Sequence, residues 1–236
     1  MINFEHVYKT LRQTRVLCNF SFSAEIGKIL CLIGPSGCGK TTILQLLAGL
    51  EQPDAGQITG TEDLRVSYVF QEPRLLPWKT VAENMAFVLR GVVPSAGQKE
   101  LINRYLSMTG LYDYRHSYPD SLSGGMKQRL ALCRAFAFPH DLLLLDEPFN
   151  SLDVPLRLGL VRQIIRMWQA EPRTIVFVTH DIMDALLLGH RVVVLSRAPA
   201  AVLDAVDVDI PLEQRKIGRD PLPACYARIM DLLESE

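Results

Sequence analysis

Gly34-Pro35-Ser36-Gly37-Cys38-Gly39-Lys40-Thr41-Thr42 follows the apolar run Ile29-Leu30-Cys31-Leu32-Ile33 and precedes Ile43-Leu44-Gln45-Leu46-Leu47-Ala48. That order predicts a buried strand, a glycine-rich loop and the first turns of a helix. Gly34, Gly39, Lys40 and Thr41 fit G-x-x-x-x-G-K-[ST], a phosphate-binding loop. Glycines let the backbone curl until successive N–H groups face one point, a nest for anionic oxygens. The helix starting at Lys40 adds the positive end of its dipole. Lys40 supplies a full charge to the β- and γ-phosphates, and the Thr41 hydroxyl is a ligand for Mg²⁺. The stretch predicts that the chain binds a nucleoside triphosphate.

The 236 residues suffice for one large α/β domain or one domain with an inserted subdomain. With 48% apolar and 22% charged residues, the composition is that of a globular chain. A net charge of −1 gives no electrostatic case for nucleic acid or an anionic membrane surface. Cys18, Cys31, Cys38, Cys133 and Cys225 are odd in number and form no C-x-x-C pair, which fits a reducing compartment. Met1 to Glu5 lacks the basic start of a secretory signal, and no run of about 18 apolar residues occurs. A membrane role is therefore expected to come through a partner.

Along the chain, residues 2–8 and 16–24 read as strands, as do 57–60 and 66–70, the last ending at Gln71. Residues 72–138 read as a mostly helical insert. It has Thr80 as a cap, then a face of Val81, Met85, Val88 and Leu89, and a second face of Leu101, Ile102, Tyr105 and Leu106. It closes with Leu122-Ser123-Gly124-Gly125-Met126-Lys127-Gln128-Arg129, where Ser123 suits an N-cap. Leu142 to Leu145 is a continuous apolar strand that delivers Asp146 and Glu147; Thr174 to Val178 delivers Thr179-His180-Asp181. Alternating strands and helices predict a parallel sheet with its ligand at the strand carboxyl ends. The phosphate loop, Gln71, Asp146, Glu147 and His180 all fall on that edge.

At a buried strand end Asp146 can hold Mg²⁺, usually through water, opposite Thr41, and Glu147 can polarise an attacking water. His180 is placed to contact the γ-phosphate, and Gln71 to reach the metal or the water. Ser123-Gly124-Gly125 forms a second anion-binding helix start. One triphosphate has no obvious need of two such ends from one chain, so the economical arrangement is two chains capping each other's nucleotide.

Here the chain resembles the ATP-binding subunits of ABC transporters over essentially its full length. Walker A (Gly34 to Thr42), the Q-loop Gln71, LSGGMKQR (Leu122 to Arg129), Walker B (Leu142 to Pro148), the D-loop Ser151-Leu152-Asp153 and the switch His180 occur in family order. The resemblance implies an α/β fold with a P-loop (RecA-like) core in 1–71 and 139–236, a helical subdomain in 72–138 and an N-terminal antiparallel β subdomain. It implies ATP and Mg²⁺ as cofactors and a head-to-tail dimer. Each nucleotide would lie between one chain's Walker A and the other's Ser123, Gly124, Gly125 and Gln128. Two membrane permease subunits and, indirectly, a solute-binding protein would be partners at the cytoplasmic face of the membrane.

A narrower resemblance lies in Gln71-Glu72-Pro73-Arg74-Leu75-Leu76-Pro77-Trp78 with Val81-Ala82-Glu83-Asn84, which is similar to importers of the nitrate/sulfonate/taurine type. It implies that Leu75, Leu76 and Trp78 border the permease contact; packing of Trp78 between subdomains is the alternative. A vitamin precursor is a further solute class. An exporter's ATPase, or a soluble relative acting on nucleic acid or ribosomes, would also carry the core motifs. Leu11 stands where the family usually has an adenine-stacking aromatic, and Val16 matches an adenine or ribose contact, so weak base discrimination is expected. Cys38, at a helix start, is expected to have a lowered thiol pKa; an unreactive small residue packed under the loop is the alternative.

Overall fold

The computed structural model describes residues 1–150, 152–215 and 222–235. Strand β1 (Ile2–Leu11) turns into β2 (Thr14–Ala24) through Arg12 and Gln13, both at positive φ (46° and 74°). Two such residues make a hairpin turn whose twist matches that of the strands. With β4 (Ala55–Thr59) on the other side of β1, they form a three-stranded antiparallel sheet. Gly56 (φ 82°) lets β4 pass β1 closely, because a Cβ there would stand 2.2 Å from the His6 carbonyl oxygen.

The second sheet runs in the order β5 (Val66–Val69), β6 (Leu142–Asp146), β7 (Thr174–Thr179), β3 (Ile29–Ile33), β8 (Arg191–Leu195) and β9 (Val202–Asp207). Every residue of β3, β6 and β7 is buried, as expected of a sheet covered on both faces. Alternate residues divide between two cores. Leu30, Leu32, Leu144 and Val176 join Phe4 and Phe20 of the small sheet and Ile43, Leu44 and Leu47 of helix α1 (Lys40–Leu47). Cys31, Ile33, Leu143, Leu145 and Phe177 meet the helices on the opposite side.

Those helices include α2 (Val81–Leu89), α3 (Ser95–Met108) and α4 (Gly124–Ala137), packed through Met85, Leu89, Leu106, Leu130 and Cys133. Helix α2 starts with a reciprocal cap: Glu83 N–H donates to Thr80 Oγ1 and Thr80 N–H to Glu83 Oε2. Helices α5 (Val154–Ala170), α6 (Ile182–Leu188) and α7 (Leu222–Glu234) complete the layer.

The sheet departs from the all-parallel expectation at one edge. Strand β9 runs antiparallel to β8. The connection 196–201 is too short for the crossover that a parallel pair requires. Helix α1 stops at Leu47, where Gly49 adopts a positive φ of 67° and Leu50 N–H closes the end on Gln45 O.

Candidate nucleotide site

The carboxyl ends of β3, β6 and β7 open into a cavity of about 610 Å³ lined by Ser36, Gly37, Gly39, Lys40, Thr41, Thr42, Gln71, Glu147, Asn150 and His180. Leu11 and Val16, from the β1–β2 hairpin, form its apolar side. Gly39, at φ 114°, admits no side chain, since its Cβ would stand 2.6 Å from Val16 Cγ1. Lys40 is only 4% exposed, and its Nζ donates to the carbonyl oxygens of Gly34 and Pro35 at 2.8 Å each. The same ammonium stands 4.0 Å from Glu147 Oε1, so the loop, the lysine and the β6 end are electrostatically joined.

Asp146 ends β6 and accepts from Thr41 Oγ1 on Oδ1 and from the Tyr68 hydroxyl on Oδ2, each at 3.1 Å. Burial pushes its carboxyl pKa up, and those two hydrogen bonds pull the other way. Glu147 follows at φ 45°, a conformation that a non-glycine side chain rarely adopts. Its N–H donates to Val178 O at 3.1 Å, which ties the turn to β7. Glu147 Oε2 lies 3.4 Å from His180 Nδ1 and accepts from Asn150 Nδ2 at 3.3 Å.

Behind His180, Asp181 caps α6, accepting from the N–H groups of Met183 and Asp184. Arg157 of α5 pairs with Asp181 and, through Nε at 2.7 Å, with buried Asp184. Burial pushes Asp184 up to about 6 despite that arginine. Tyr68, Asn150 and Arg157 were not singled out from sequence. The β5–β6 register places Tyr68 on the face of Leu144 and Asp146; the other two depend on loop and interhelix geometry.

The LSGGMKQR segment stands apart. Ser123 Oγ accepts from Met126 N–H at 3.3 Å, capping α4, and Ser123 and Gly124 are exposed. Ser123, Gly124 and Gly125 do not line the cavity described above. Gly125 is buried, and Gln128 is 7% exposed. Leu152 packs on the core, while Asp153 Oδ1 accepts from Leu156 N–H at 3.0 Å and caps α5. Ser151 lies outside the described residues.

Cys38 corrects an expectation. A helix start should lower a thiol pKa, yet Cys38 is 1% exposed, and burial raises its pKa against the pull of Lys40 and the local N–H groups. Its sulfur lies 3.1 Å from the Cβ position of Gly34, so the thiol is packed under the loop. Trp78 is 70% exposed, which excludes its packing between subdomains.

With that geometry in place, the sequence profile of the ABC transporter family matches residues 17–150. The chain belongs to the ABC transporter family, as an ATP-binding ATPase. It is 35% identical to the nitrate import ATP-binding protein of Synechococcus elongatus, over 93% of this chain and 86% of that one. It is 37% identical to an aliphatic sulfonates import ATP-binding protein of Mesorhizobium japonicum, over 98% of this chain and 87% of the relative. A dimeric ATP-binding cassette in a post-hydrolysis state, bound to ADP and Pi, superposes on this ABC ATPase with a TM-score of 0.76 at 26% identity. The match covers 89% of this chain and all of the cassette. No helix among the described residues of the ABC ATPase is long and apolar enough to cross a membrane.

Proposed function

We propose that this ABC ATPase is the energising subunit of a membrane importer and works as a homodimer with two ATP molecules between its chains. The observation that carries the reading is the separation of two anion-binding features. Walker A, Gln71, Glu147 and His180 share one cavity, whereas Ser123 and Gly124 open elsewhere. Two chains facing head to tail would bring one chain's Ser123-Gly124-Gly125 to the other's phosphates. Val154 (62% exposed) and Leu156 (43%) leave apolar surface at the start of α5, with Leu156 Cδ1 3.3 Å from the Cβ position of Gly125. The dimeric state of the similar cassette supports a homodimer.

Within each site, Lys40 and the loop N–H groups hold the β- and γ-phosphates. Glu147 takes a proton from the attacking water, and His180 orients the γ-phosphate. A divalent ion fits beside them. Thr41 Oγ1 and Asp146 Oδ1 are 3.1 Å apart, and adjacent oxygens around an octahedral Mg²⁺ stand about 3 Å apart. Thr41, Asp146 and Gln71 would hold the ion, which supplies charge neutralisation for the phosphates.

The permease would dock on the helical layer, where Phe87 (54% exposed) and Val92 line a groove of about 670 Å³ with Glu83, Arg90 and Lys79, the last one residue on from exposed Trp78. That places the subunit peripherally on the cytoplasmic face. The names of the relatives favour nitrate or an aliphatic sulfonate as the solute; taurine and a vitamin precursor are the other classes. Co-purification tests the reading: permease subunits should travel with the wild-type chain and be lost from Trp78→Glu, whose own ATP hydrolysis persists. Retention of the same permease by Trp78→Glu would contradict this docking surface.

A further inference from the structure

The His180 side chain is 57% exposed and meets Glu147 through Nδ1 at 3.4 Å. Little packs around the ring, so its direction depends on the backbone that carries it. Strand β7 ends at Thr179 and α6 begins at Ile182, which leaves the imidazole on a link of two residues, His180 and Asp181.

Asp181 is fastened on three sides. Its N–H donates to Thr179 Oγ1 at 3.0 Å. Its Oδ1 accepts from the N–H groups of Met183 and Asp184 at 2.8 and 3.2 Å, and its Oδ2 takes the Arg157 guanidinium. The first two fastenings are local and move with the turn. Arg157 comes from elsewhere, one turn into α5, where its own N–H donates to Asp153 O at 2.9 Å. Its Nε also donates to Asp184 Oδ1 at 2.7 Å. One guanidinium thus ties both the cap and the first turn of α6 to α5. The planar fork of an arginine suits two carboxylates at once better than the point charge of a lysine does.

We infer that Arg157 is a positioning residue: by holding Asp181 and Asp184 it sets the His180 backbone so that the imidazole meets Glu147 and the γ-phosphate. The inference rests on the role given to His180 above and extends it to a residue that does not line the cavity. Without Arg157 the link is held by its own turn alone, and the ring samples positions away from the reacting centre. Nucleotide binding rests on Lys40 and the loop N–H groups and is untouched. The loss therefore falls on kcat and not on KM.

The test is ATP hydrolysis by Arg157→Gln, Arg157→Lys and the double variant Arg157→Gln/Asp184→Asn, each with its thermal midpoint. Arg157→Gln alone strands the carboxylate of Asp184, which is 2% exposed, and an unpaired buried charge destabilises a fold. The double variant removes both charges and separates that effect. Arg157→Gln and the double variant should lower kcat about tenfold, the consequence of a misplaced reacting group, with KM for ATP within about threefold of wild type. Arg157→Lys should recover part of the rate. In a His180→Ala background, read by single turnover, the same substitutions should change the residual rate by less than about twofold, because the ring they position is gone. A folded double variant and a folded Arg157→Lys with wild-type kcat would overturn the inference. So would a loss as large in the His180→Ala background as in wild type, which is the mark of general damage. Normal turnover in His180→Ala itself would overturn the role given to His180, and this inference with it.

Discussion

Glu147 Oε2 lies 3.4 Å from His180 Nδ1, so the ends of two neighbouring strands deliver a carboxylate and an imidazole to the same point in the cavity. Glu147 reaches it from a backbone at φ 45° whose N–H is held by Val178 O of β7.

From this follows the first expectation. Glu147→Gln keeps the side chain's shape but cannot take a proton, so ATP hydrolysis should fall about 10²–10⁴-fold, the range typical of general-base removal. ATP binding should stay within about threefold of wild type. His180→Ala should also lose turnover while retaining nucleotide. Steady-state hydrolysis alongside equilibrium binding separates the two effects; normal turnover in Glu147→Gln would move the base elsewhere.

Base recognition gives a second. Leu11 and Val16 offer apolar contact to a base but no stacking ring. GTP should be hydrolysed at a rate within a few-fold of ATP, and Leu11→Ala should weaken both nucleotides alike. Parallel kinetics with the two substrates decide it: a strong ATP preference that survives Leu11→Ala would contradict this account of the base contact.

Acid stability gives a third. His190 Nδ1 accepts from Ile29 N–H at 3.0 Å, and the ring packs against Trp168 with centroids 4.8 Å apart. Burial first, then Arg215 and Lys28, draws its pKa down to about 4. In the unfolded chain it protonates near the ordinary value of about 6.5. The unfolded state therefore binds the proton first as pH falls. Stability from neutral His190 is whole above that value and is lost as pH drops through the folded pKa. The loss should reach at most about 3 kcal/mol, from a shift of some 2.5 units at 1.36 kcal/mol each. His190→Asn retains an acceptor for Ile29, and urea unfolding at pH 7 and pH 4.5 should show a shallower acid loss in the variant. Equal losses would remove His190 from the acid response.

How much of this was written in the sequence differs from residue to residue. The all-buried strands Ile29–Ile33 and Leu142–Asp146 announce themselves as apolar runs, and a loop with Gly39 and Lys40 between a strand and a helix has few alternatives. Ser123 and Thr80 are legible as caps because their side-chain oxygens serve N–H groups three residues on. What failed was whatever depends on distant chain. Cys38 looks reactive from its place at a helix start, but the packing of the loop against Leu195 excludes water, and no local pattern encodes that. The antiparallel β9 depends on a connection too short for a crossover, residues 196–201. Tyr68 reads as a sheet residue until the β5–β6 register sets it against Asp146.

The central claim is that the nucleotide site is completed by a second copy of the chain. Sedimentation velocity of Glu147→Gln tests it most directly, with ATP at saturation and a companion Glu147→Gln/Ser123→Arg variant. The account predicts a monomer without nucleotide and a dimer with ATP at two nucleotides per pair. The companion, whose exposed Ser123 lies outside its own chain's cavity, should bind ATP yet stay monomeric. A Glu147→Gln chain that fills with ATP and remains monomeric at every concentration, or a companion that dimerises equally well, would contradict it.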